Sequence, residues 1–484
     1  MRKINHIIGL IAVSILVVCS GCDNWLGIQP ADRVTEEQVF TTESGFWGAL
    51  NGVYTDMMNT NLYGAALSCE LVEILGQRYN VTTIRPDYKE LTEYKYINDY
   101  PKKRLQSIWE TAYRLILNCN LILKNAEEHR EVLDEQAYAI VKAEALALRA
   151  LVHFDMLRLF GPVYDKEHQE ALAIPYNEKV SVSASEILPA RVVLEERVLR
   201  DLREAEGLLK KYDPILTQGP LMTSEEGEEN TYRYRGLRLN YYAVLALQAR
   251  VYLYAGNKPE ALKQAKSVIE DENRETYFPF VAHNSIMNAQ NPDRVFSTEV
   301  LFSLLNNKRN DLFTSYFDPE NASTYKLVPR EGTIEALFQE DAADYRYKPL
   351  WITSPVAGES KLLINVRFKK LSNTDLLSNK LIPLIRLSEM YLIAAECELR
   401  EEDGYKWLNI LRRNRGNAME VSDKLQERLK NEYAKEFLCE GQLFFYYKRT
   451  AQSTIISGVT GKKVTMNAGT YVPPLPESEE KYRN

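Results

Sequence analysis

The stretch "NYYAVLALQARVYLYAGNKPEALKQAKSVIE", Asn240 to Glu270, decides the fold of this chain. Two runs rich in helix-forming residues flank Gly256-Asn257, a pair that favours a tight turn. Apolar residues recur along both runs at three- and four-residue steps, as they do on helix faces that pack together. The stretch therefore predicts a helix, a tight turn and a second helix.

The packed face of this hairpin carries residues at the offsets of a tetratricopeptide repeat, namely Ala249, Tyr252, Gly256, Ala261 and Ala265. Small residues let paired helices approach closely, and the tyrosine fills the space between them. Ser388 to Arg413 repeats the scheme, with Gly404 expected in the turn and Ala394-Ala395 on the packed face. Any helical hairpin needs small residues and a glycine turn. Long insertions separate the pairs, so we do not expect a uniform solenoid.

Other parts of the chain are also helical in pattern. Tyr138 to Phe160 carries one apolar helix face and is followed by Gly161-Pro162, which ends a helix. Ile108 to Ala126 and Val192 to Lys211 are further predicted helices. Thr276 to Lys380 has several prolines, scattered aromatic residues and short apolar runs, which indicate loops and short strands. The predicted fold class is predominantly α, with a loop-rich, short-strand insertion region.

The N-terminus has the pattern of a bacterial lipoprotein signal. Arg2 and Lys3 precede an apolar run of thirteen residues, Ile7 to Cys19. This run is too short for a membrane-spanning helix, which needs roughly 20 residues. Ser20-Gly21-Cys22 resembles a lipobox, with Cys19 where leucine is usual, and predicts that Cys22 is lipidated. The alternatives are an ordinary secretory signal cleaved nearby and a weak transmembrane anchor.

Composition and motif searches exclude several functions. The net charge is −7 with acidic and basic residues mixed, whereas nucleic-acid binding predicts a basic stripe. Neither HExxH nor GxSxG occurs, and we expect no metal and no cofactor. His153 lies in a strongly apolar run and is interpreted as a core histidine. We expect four cysteines to be buried thiols, with their pairing left open, namely Cys69, Cys119, Cys397 and Cys439.

Polar residues near the C-terminal helices predict a structural network. Arg386 and Glu389 are three residues apart and can pair across one helical turn. Glu436 and Glu440 share a predicted helix face, with Lys435 and Arg449 nearby. We expect these charges to hold helices together rather than to act as a general acid and base.

Six stretches resemble the SusD/RagB family of Bacteroidetes outer-membrane lipoproteins. "IPLIRLSEMYLIAAECELR", Ile382 to Arg400, is similar to the family's signature helix. The other five lie in the family's order and are "LGIQPADRVTEEQVF", "AEALALRALVHFDMLRLFGPV", "LNILRRNRG", "YAKEFLCEGQLFFYYKR" and "YVPPLPESE". The segment "FFYYKR" departs from the usual family pattern and indicates a divergent subgroup. The resemblance implies a signal peptide over 1–21, an N-terminal region over 22–230 and a C-terminal region over 231–484, the last two forming one compact domain.

The resemblance also implies a function. Family members are surface lipoproteins that bind a nutrient, typically a glycan, and act as a lid on a SusC-type TonB-dependent outer-membrane transporter. The implied location is the outer membrane, with the lipid anchor at Cys22 and the protein facing the cell exterior. The protein would be a binding protein and not an enzyme. Peptide capture, as in RagB-like members, and a structural transporter subunit without its own ligand site remain as alternatives.

Two segments combine aromatic faces with polar groups, as sugar binding requires. They are "RYNVTTIRPDYKELTEYKY", Arg78 to Tyr96, and "YRYKPLW", Tyr345 to Trp351. The ligand-binding candidates are Tyr79, Asn80, Arg85, Asp87, Tyr88, Tyr94, Tyr96, Tyr345, Tyr347 and Trp351. Because binding residues concentrate on loops, we expect both segments to lie on loops, and if they converge they form one shallow aromatic platform opposite the helical bundle. The alternative is that these aromatic residues pack on neighbouring helices.

Overall fold

The structure is a computed structural model that describes residues 36–81, 86–181, 185–227, 230–321, 326–356, 358–359 and 361–481. The signal segment, Cys22 and Arg85 lie outside these ranges, so the predictions made for them stay predictions. Within the described ranges, every helix is too short or too polar to cross a bilayer.

Helices dominate the described chain. Those of seven residues or more are α1 Glu43–Asp56, α2 Pro86–Thr92, α3 Asp99–Glu128, α4 Glu135–Phe160, α5 Leu199–Tyr212, α6 Tyr241–Tyr254, α7 Lys258–Ile269, α8 Asn310–Tyr316, α9 Leu387–Cys397, α10 Glu401–Arg413, α11 Leu425–Glu436 and α12 Leu443–Arg449. A π-helical segment, Val192–Val198, leads into α5. Shorter α-helices are Glu36–Val39, Leu71–Leu75, Ile215–Gln218, Arg274–Tyr277, His283–Ile286, Thr333–Leu337, Ala468–Tyr471 and Glu477–Lys481. The 3-10 turns are Arg130–Val132, Arg235–Leu237, Ser297–Glu299 and Leu377–Asn379.

Successive helices pack side by side to form the core. In order along the chain, α3 packs on α4, α4 on α5, α5 on α6 and α6 on α7; α7 then packs on α9, and α9 on α10. The predicted hairpin is confirmed as α6 and α7, with Gly256 in the turn at a φ of +74°. Asn240 begins α6, since its side chain accepts a hydrogen bond from the Ala243 N–H at 3.0 Å.

Gly404 has a different role from the predicted one. It lies inside α10 rather than in the turn between α9 and α10. A Cβ atom at this position would come within 2.5 Å of the Ala395 carbonyl oxygen on α9. The glycine therefore permits the close approach of the two helices.

The strands form four antiparallel two-stranded ladders among the described residues. They pair β1 Leu172–Pro175 with β2 Ile187–Pro189, β3 Val300–Leu305 with β6 Leu381–Arg386, β4 Trp351–Thr353 with β5 Leu363–Asn365, and β7 Thr454–Ile456 with β8 Lys463–Thr465. Short strands between Thr276 and Lys380 are confirmed, and so is the fold class. Pro383 lies within β6 opposite Ser303, on a ladder of only two strands where proline is tolerated.

A buried ion network joins the C-terminal helices. Arg386 does not pair with Glu389; it donates to Glu436 and Glu440, while Glu389 accepts from Arg250. Arg415 donates to Glu436 and to Glu299, 2.7 Å away. The predicted network is therefore confirmed at Glu436 and Glu440. The two basic residues expected nearby form ion pairs with other acids: Lys435 pairs with Asp341, and Arg449 pairs with Glu396.

Two predictions about core residues are also confirmed. His153 is buried, with Nδ1 2.9 Å from the Arg149 carbonyl oxygen and Nε2 accepting from the Asn177 N–H at 3.0 Å. Burial lowers its pKa to about 3, so the imidazole is neutral at physiological pH. The four cysteines of the described chain are free and buried.

Candidate functional site

The aromatic residues of the segment from Arg78 to Tyr96 are buried. This holds for Tyr79, Tyr88, Tyr94 and Tyr96. Their hydroxyl groups bond internally: Tyr94 donates to the Leu75 carbonyl at 2.9 Å, and Tyr96 donates to the Thr470 carbonyl at 2.6 Å. Because neighbouring segments cover the rings, this half of the expected platform is wrong.

The second segment is also packed into the protein. Trp351 lies on β4 and is only 7% exposed. The Tyr345 ring is 4.7 Å from the His283 ring, and the Tyr347 ring stacks on Phe338 at 5.1 Å. Trp351 is thus a core residue, whereas Tyr345 and Tyr347 are half-buried and pack on neighbouring rings.

The two segments are connected indirectly, in the interior, through Cys439 and Asn365. The Tyr79 hydroxyl lies 3.9 Å from the Cys439 Sγ, and the Asn365 side-chain amide lies 3.7 Å from the same sulfur. Asn365 is the partner of Trp351 in the β4–β5 ladder. This connection between the segments is thus part of the core.

A partly exposed group of polar and aromatic side chains lies beside the first segment. Glu70 accepts a hydrogen bond from the buried Tyr88 hydroxyl at 2.7 Å and also binds Arg104. Arg104 donates to the Asn61 side-chain oxygen at 2.6 Å. The Tyr100 ring lies 5.8 Å from the Tyr88 ring. Four separate elements meet here, namely the loop after α1, α2, the first turns of α3, and α8.

Tyr316, at the end of α8, completes this group. Burial raises the pKa of Tyr316, Glu70 raises it further and Arg104 lowers it, so this half-buried tyrosine is coupled electrostatically to the Glu70–Arg104 pair. Although burial lowers the pKa of Arg104, Glu70 raises it above its usual value. The Arg104 guanidinium is therefore charged and the Tyr316 phenol is neutral. We call Asn61, Glu70, Tyr100, Arg104 and Tyr316 the tyrosine–arginine site.

The remaining candidates of the first segment flank this site. Asp87 precedes Tyr88 on α2 and is half-buried. The Asn80 N–H donates to the Val328 carbonyl at 2.7 Å and joins the first segment to the chain that follows α8. Arg85 lies outside the described residues.

The sequence reasoning missed Tyr100, Arg104 and Tyr316. One signal was present, because Tyr100 and Arg104 are four residues apart and so share a helix face just beyond the quoted segment. Tyr316 comes from a distant part of the chain and has no local signal. No cluster of three or more metal-ligating side chains occurs within the described ranges.

The fold and this site define a helical protein whose tyrosine–arginine surface is carried mainly by helices α3 and α8. Two family models match the chain: one described as "SusD family" over residues 363–474, and one described as "Starch-binding associating with outer membrane" over residues 49–253. The chain belongs to the SusD/RagB family. The description of the second model associates that family with starch binding and with the outer membrane.

Individual relatives are distant. The chain is 23% identical to a SusD-like protein P25 of Formosa agariphila over 62% of this chain and 52% of that protein, about half its length. A SusD superfamily protein of Bacteroides thetaiotaomicron matches with a TM-score of 0.71 at 21% identity, over 91% of this chain and 98% of that one. A surface glycan-binding protein A of the same organism, in complex with laminarihexaose, matches with a TM-score of 0.66 at 16% identity, over 91% and 98%. At these identities the structural matches support the fold alone.

Proposed function

We propose that this protein is a cell-surface lipoprotein that binds a glycan and delivers it, as a lid, to a SusC-type TonB-dependent transporter of the outer membrane. Family membership supports the proposal. The observation that carries it is the meeting of Tyr100, Tyr316 and Arg104 at one partly exposed surface. The bound laminarihexaose of the structural relative is consistent with this class of ligand.

The chemistry of the tyrosine–arginine site suits a sugar. A tyrosine ring stacks on the apolar C–H face of a pyranose, and its hydroxyl exchanges hydrogen bonds with the sugar. Arg104 is held by Glu70 and Asn61, so its guanidinium is already oriented before a ligand arrives. Preorganised donors lose less conformational entropy on binding. The Glu70 carboxylate accepts hydrogen bonds from Tyr88 and Arg104, an arrangement that stabilises the structure. We therefore propose that the protein binds its ligand without turnover.

A calorimetric titration of the mature protein with maltohexaose, laminarihexaose and a mixture of short peptides tests the ligand class. We expect an oligosaccharide to bind and Tyr316→Ala to weaken it by about 1–3 kcal/mol, the usual effect of removing a stacked aromatic ring. Tyr345→Ala is the matched control, since this half-buried tyrosine packs on His283 away from the site. Binding of peptides alone, or equal affinity in the Tyr316 variant, contradicts the proposal. Release of reducing ends would contradict the absence of turnover.

The anchor is tested separately. Metabolic labelling with a palmitate analogue should label the wild-type protein, and Cys22→Ala should abolish the label because the acceptor thiol is lost. The Cys22 variant should also leave the membrane fraction. Equal labelling of both proteins would refute acylation at this residue.

The lid role is tested by co-purification. A tagged copy of this protein should retain a TonB-dependent transporter after gentle solubilisation of the outer membrane. Recovery of the protein without any transporter, from cells that express both, would contradict this part of the proposal.

A further inference from the structure

A concave surface of the described chain shares no residue with the tyrosine–arginine site. It is a cleft of about 1030 Å³ between α1, residues 222–224 and 230–238, and the end of the β3–β6 ladder. This volume is at the upper end of the usual range for small-ligand sites. We call it the α1 cleft.

The charges of the α1 cleft are largely neutralised within the protein. Arg233 donates to Glu225 at 2.8 Å, and Arg238 lies 3.4 Å from the buried Glu144. The other charged lining residues, Lys380 and Asp375, are opposite in sign. Much of the remaining polar lining consists of amide and hydroxyl side chains, namely Asn51, Thr55, Thr223, Ser224, Asn230, Thr231, Asn307 and Asn373. Such a lining favours an uncharged ligand that is rich in hydroxyl groups.

Apolar and aromatic groups line the same cleft. The Trp47 indole, of which 8% is exposed, lies in the wall of the cleft and is fixed by a 3.0 Å hydrogen bond from its Nε1–H to Glu43 and by edge-to-face contact with Tyr232 at 5.6 Å. Leu305 and Leu376 are 42% and 37% exposed at the cleft. Apolar surface next to amides matches the two kinds of surface on a sugar ring, the C–H face and the hydroxyl rim.

One wall of the cleft has an unusual backbone. Tyr234 has a φ of +55°, and Leu221, beside the lining residue Met222, has a φ of +44°. The Tyr234 N–H donates to the Leu221 carbonyl at 3.0 Å, and the Arg235 N–H donates to the Pro220 carbonyl at 2.8 Å. Left-handed backbone at residues other than glycine costs energy and is concentrated at functional sites. The paired hydrogen bonds hold this wall in one shape before any ligand binds.

We propose that the α1 cleft is a second saccharide site, which binds a neutral oligosaccharide segment independently of the tyrosine–arginine site. The inference goes beyond the proposed function, because it adds a glycan contact that neither the transporter partnership nor the tyrosine–arginine site requires. Two sites would let one long glycan, or two chains, be held at once. The gain in apparent affinity would then come from the increased effective concentration at the second contact.

Methyl NMR on Met222 tests the cleft directly. Met222 lines the cleft, whereas Met156 and Met390 are buried in helices and serve as internal controls. The mature protein is labelled at its methionine methyl groups, and the Met222 signal is assigned by its loss in Met222→Leu. Addition of laminarihexaose or maltohexaose should shift this signal. The shift should persist in Tyr316→Ala, so that failure of the tyrosine–arginine site and failure of the cleft are distinguishable. An unmoved Met222 signal with both probes at millimolar concentration would overturn the inference.

Two variants then test the lining. Asn307→Ala combined with Asn373→Ala removes two exposed amides, and Thr55→Trp fills the cleft from the exposed face of α1. In the Tyr316→Ala background, each should weaken the residual binding at least tenfold. Gln426→Ala, an exposed amide on α11, is the matched control. Residual binding that is the same in both cleft variants and in the control would contradict a saccharide site here.

Discussion

At the scale of single residues, Glu73 is a buried carboxylate with an altered pKa. Burial raises its pKa to about 7, although Arg78 and the Gly441 N–H, 3.0 Å from Oε1, both lower it. In the unfolded chain the carboxyl titrates near 4.5. Between these values the folded protein keeps a proton that the unfolded chain has lost, so this residue makes the protein less stable as pH rises.

We therefore expect Glu73→Gln to remove part of the pH dependence. The free energy of unfolding of the wild type should contain a component that falls by on the order of 2 kcal/mol between pH 5 and pH 7. The amide does not titrate, so the variant should lack this component. Urea unfolding at both pH values measures the difference, with the exposed Glu427→Gln as control. Parallel curves for wild type and Glu73→Gln would show that Glu73 is ionised throughout this range.

Trp351 provides a second prediction at this scale. Because its side chain is buried on β4, Trp351→Ala should lower the free energy of unfolding by about 3–5 kcal/mol through the cavity that it leaves. Glycan affinity, measured below the lowered melting temperature, should stay within twofold of wild type. One melting curve and one titration on the same variant give both values. Weakened binding with unchanged stability would return Trp351 to the list of ligand residues.

At the scale of helices, the C-terminal end of α4 is capped by a lysine side chain from α12. Lys448 Nζ donates to the carbonyl oxygens of Arg158, Leu159 and Gly161 at 2.8, 3.1 and 2.7 Å. Burial lowers the pKa of Lys448, and Arg158 lowers it further. The three N–H donors of an ammonium match the three carbonyl oxygens at the negative end of the helix dipole. Lys448, in the segment "FFYYKR", thus stabilises a helix that lies almost 300 residues earlier in the chain.

Lys448→Met should lower the free energy of unfolding by about 2–4 kcal/mol, because it leaves three buried carbonyl groups without donors. Amide hydrogen exchange should accelerate in the last turn of α4 and much less in its first turn. Chemical denaturation and exchange mass spectrometry measure the two effects. A loss below about 0.5 kcal/mol, the usual range for surface substitutions, would contradict the capping role.

At the scale of the whole molecule, the buried ion network connects segments that are far apart in sequence. Although burial raises the pKa of Glu436, Arg415 and Arg386 lower it well below its usual range. The network reaches Arg346 before β4 and Glu299 before β3. Loss of Glu436 would remove one acidic partner from each of three buried guanidinium groups, those of Arg346, Arg386 and Arg415.

Glu436→Gln should therefore cost at least about 3 kcal/mol of stability, as expected when one partner of a buried ion pair is removed. Because the network spans the C-terminal half and Lys448 joins α12 to the end of α4, we expect one cooperative unfolding transition for wild type and variant. Far-ultraviolet and near-ultraviolet circular dichroism in urea should give coincident curves. Two separate transitions would contradict the single compact domain that the sequence predicts for 22–230 and 231–484.

The sequence alone determined the helical framework and the family, because these depend on local patterns. Asn240 begins a helix, Gly256 turns the chain and small residues permit close packing, all within 31 consecutive residues. Exposure of the binding candidates depended on tertiary structure. Tyr88 and Tyr100 have similar polar surroundings in the sequence, yet Tyr88 is buried with its hydroxyl on Glu70 and Tyr100 is partly exposed.

Tertiary structure likewise decided the partners of Arg386, which are 50 and 54 residues away, and it placed Tyr316 beside Arg104. The physical reason is the same in each case. Backbone hydrogen bonds and helix faces are set by residues three or four positions apart. Whether a side chain meets solvent or another side chain depends on which distant segment packs against it.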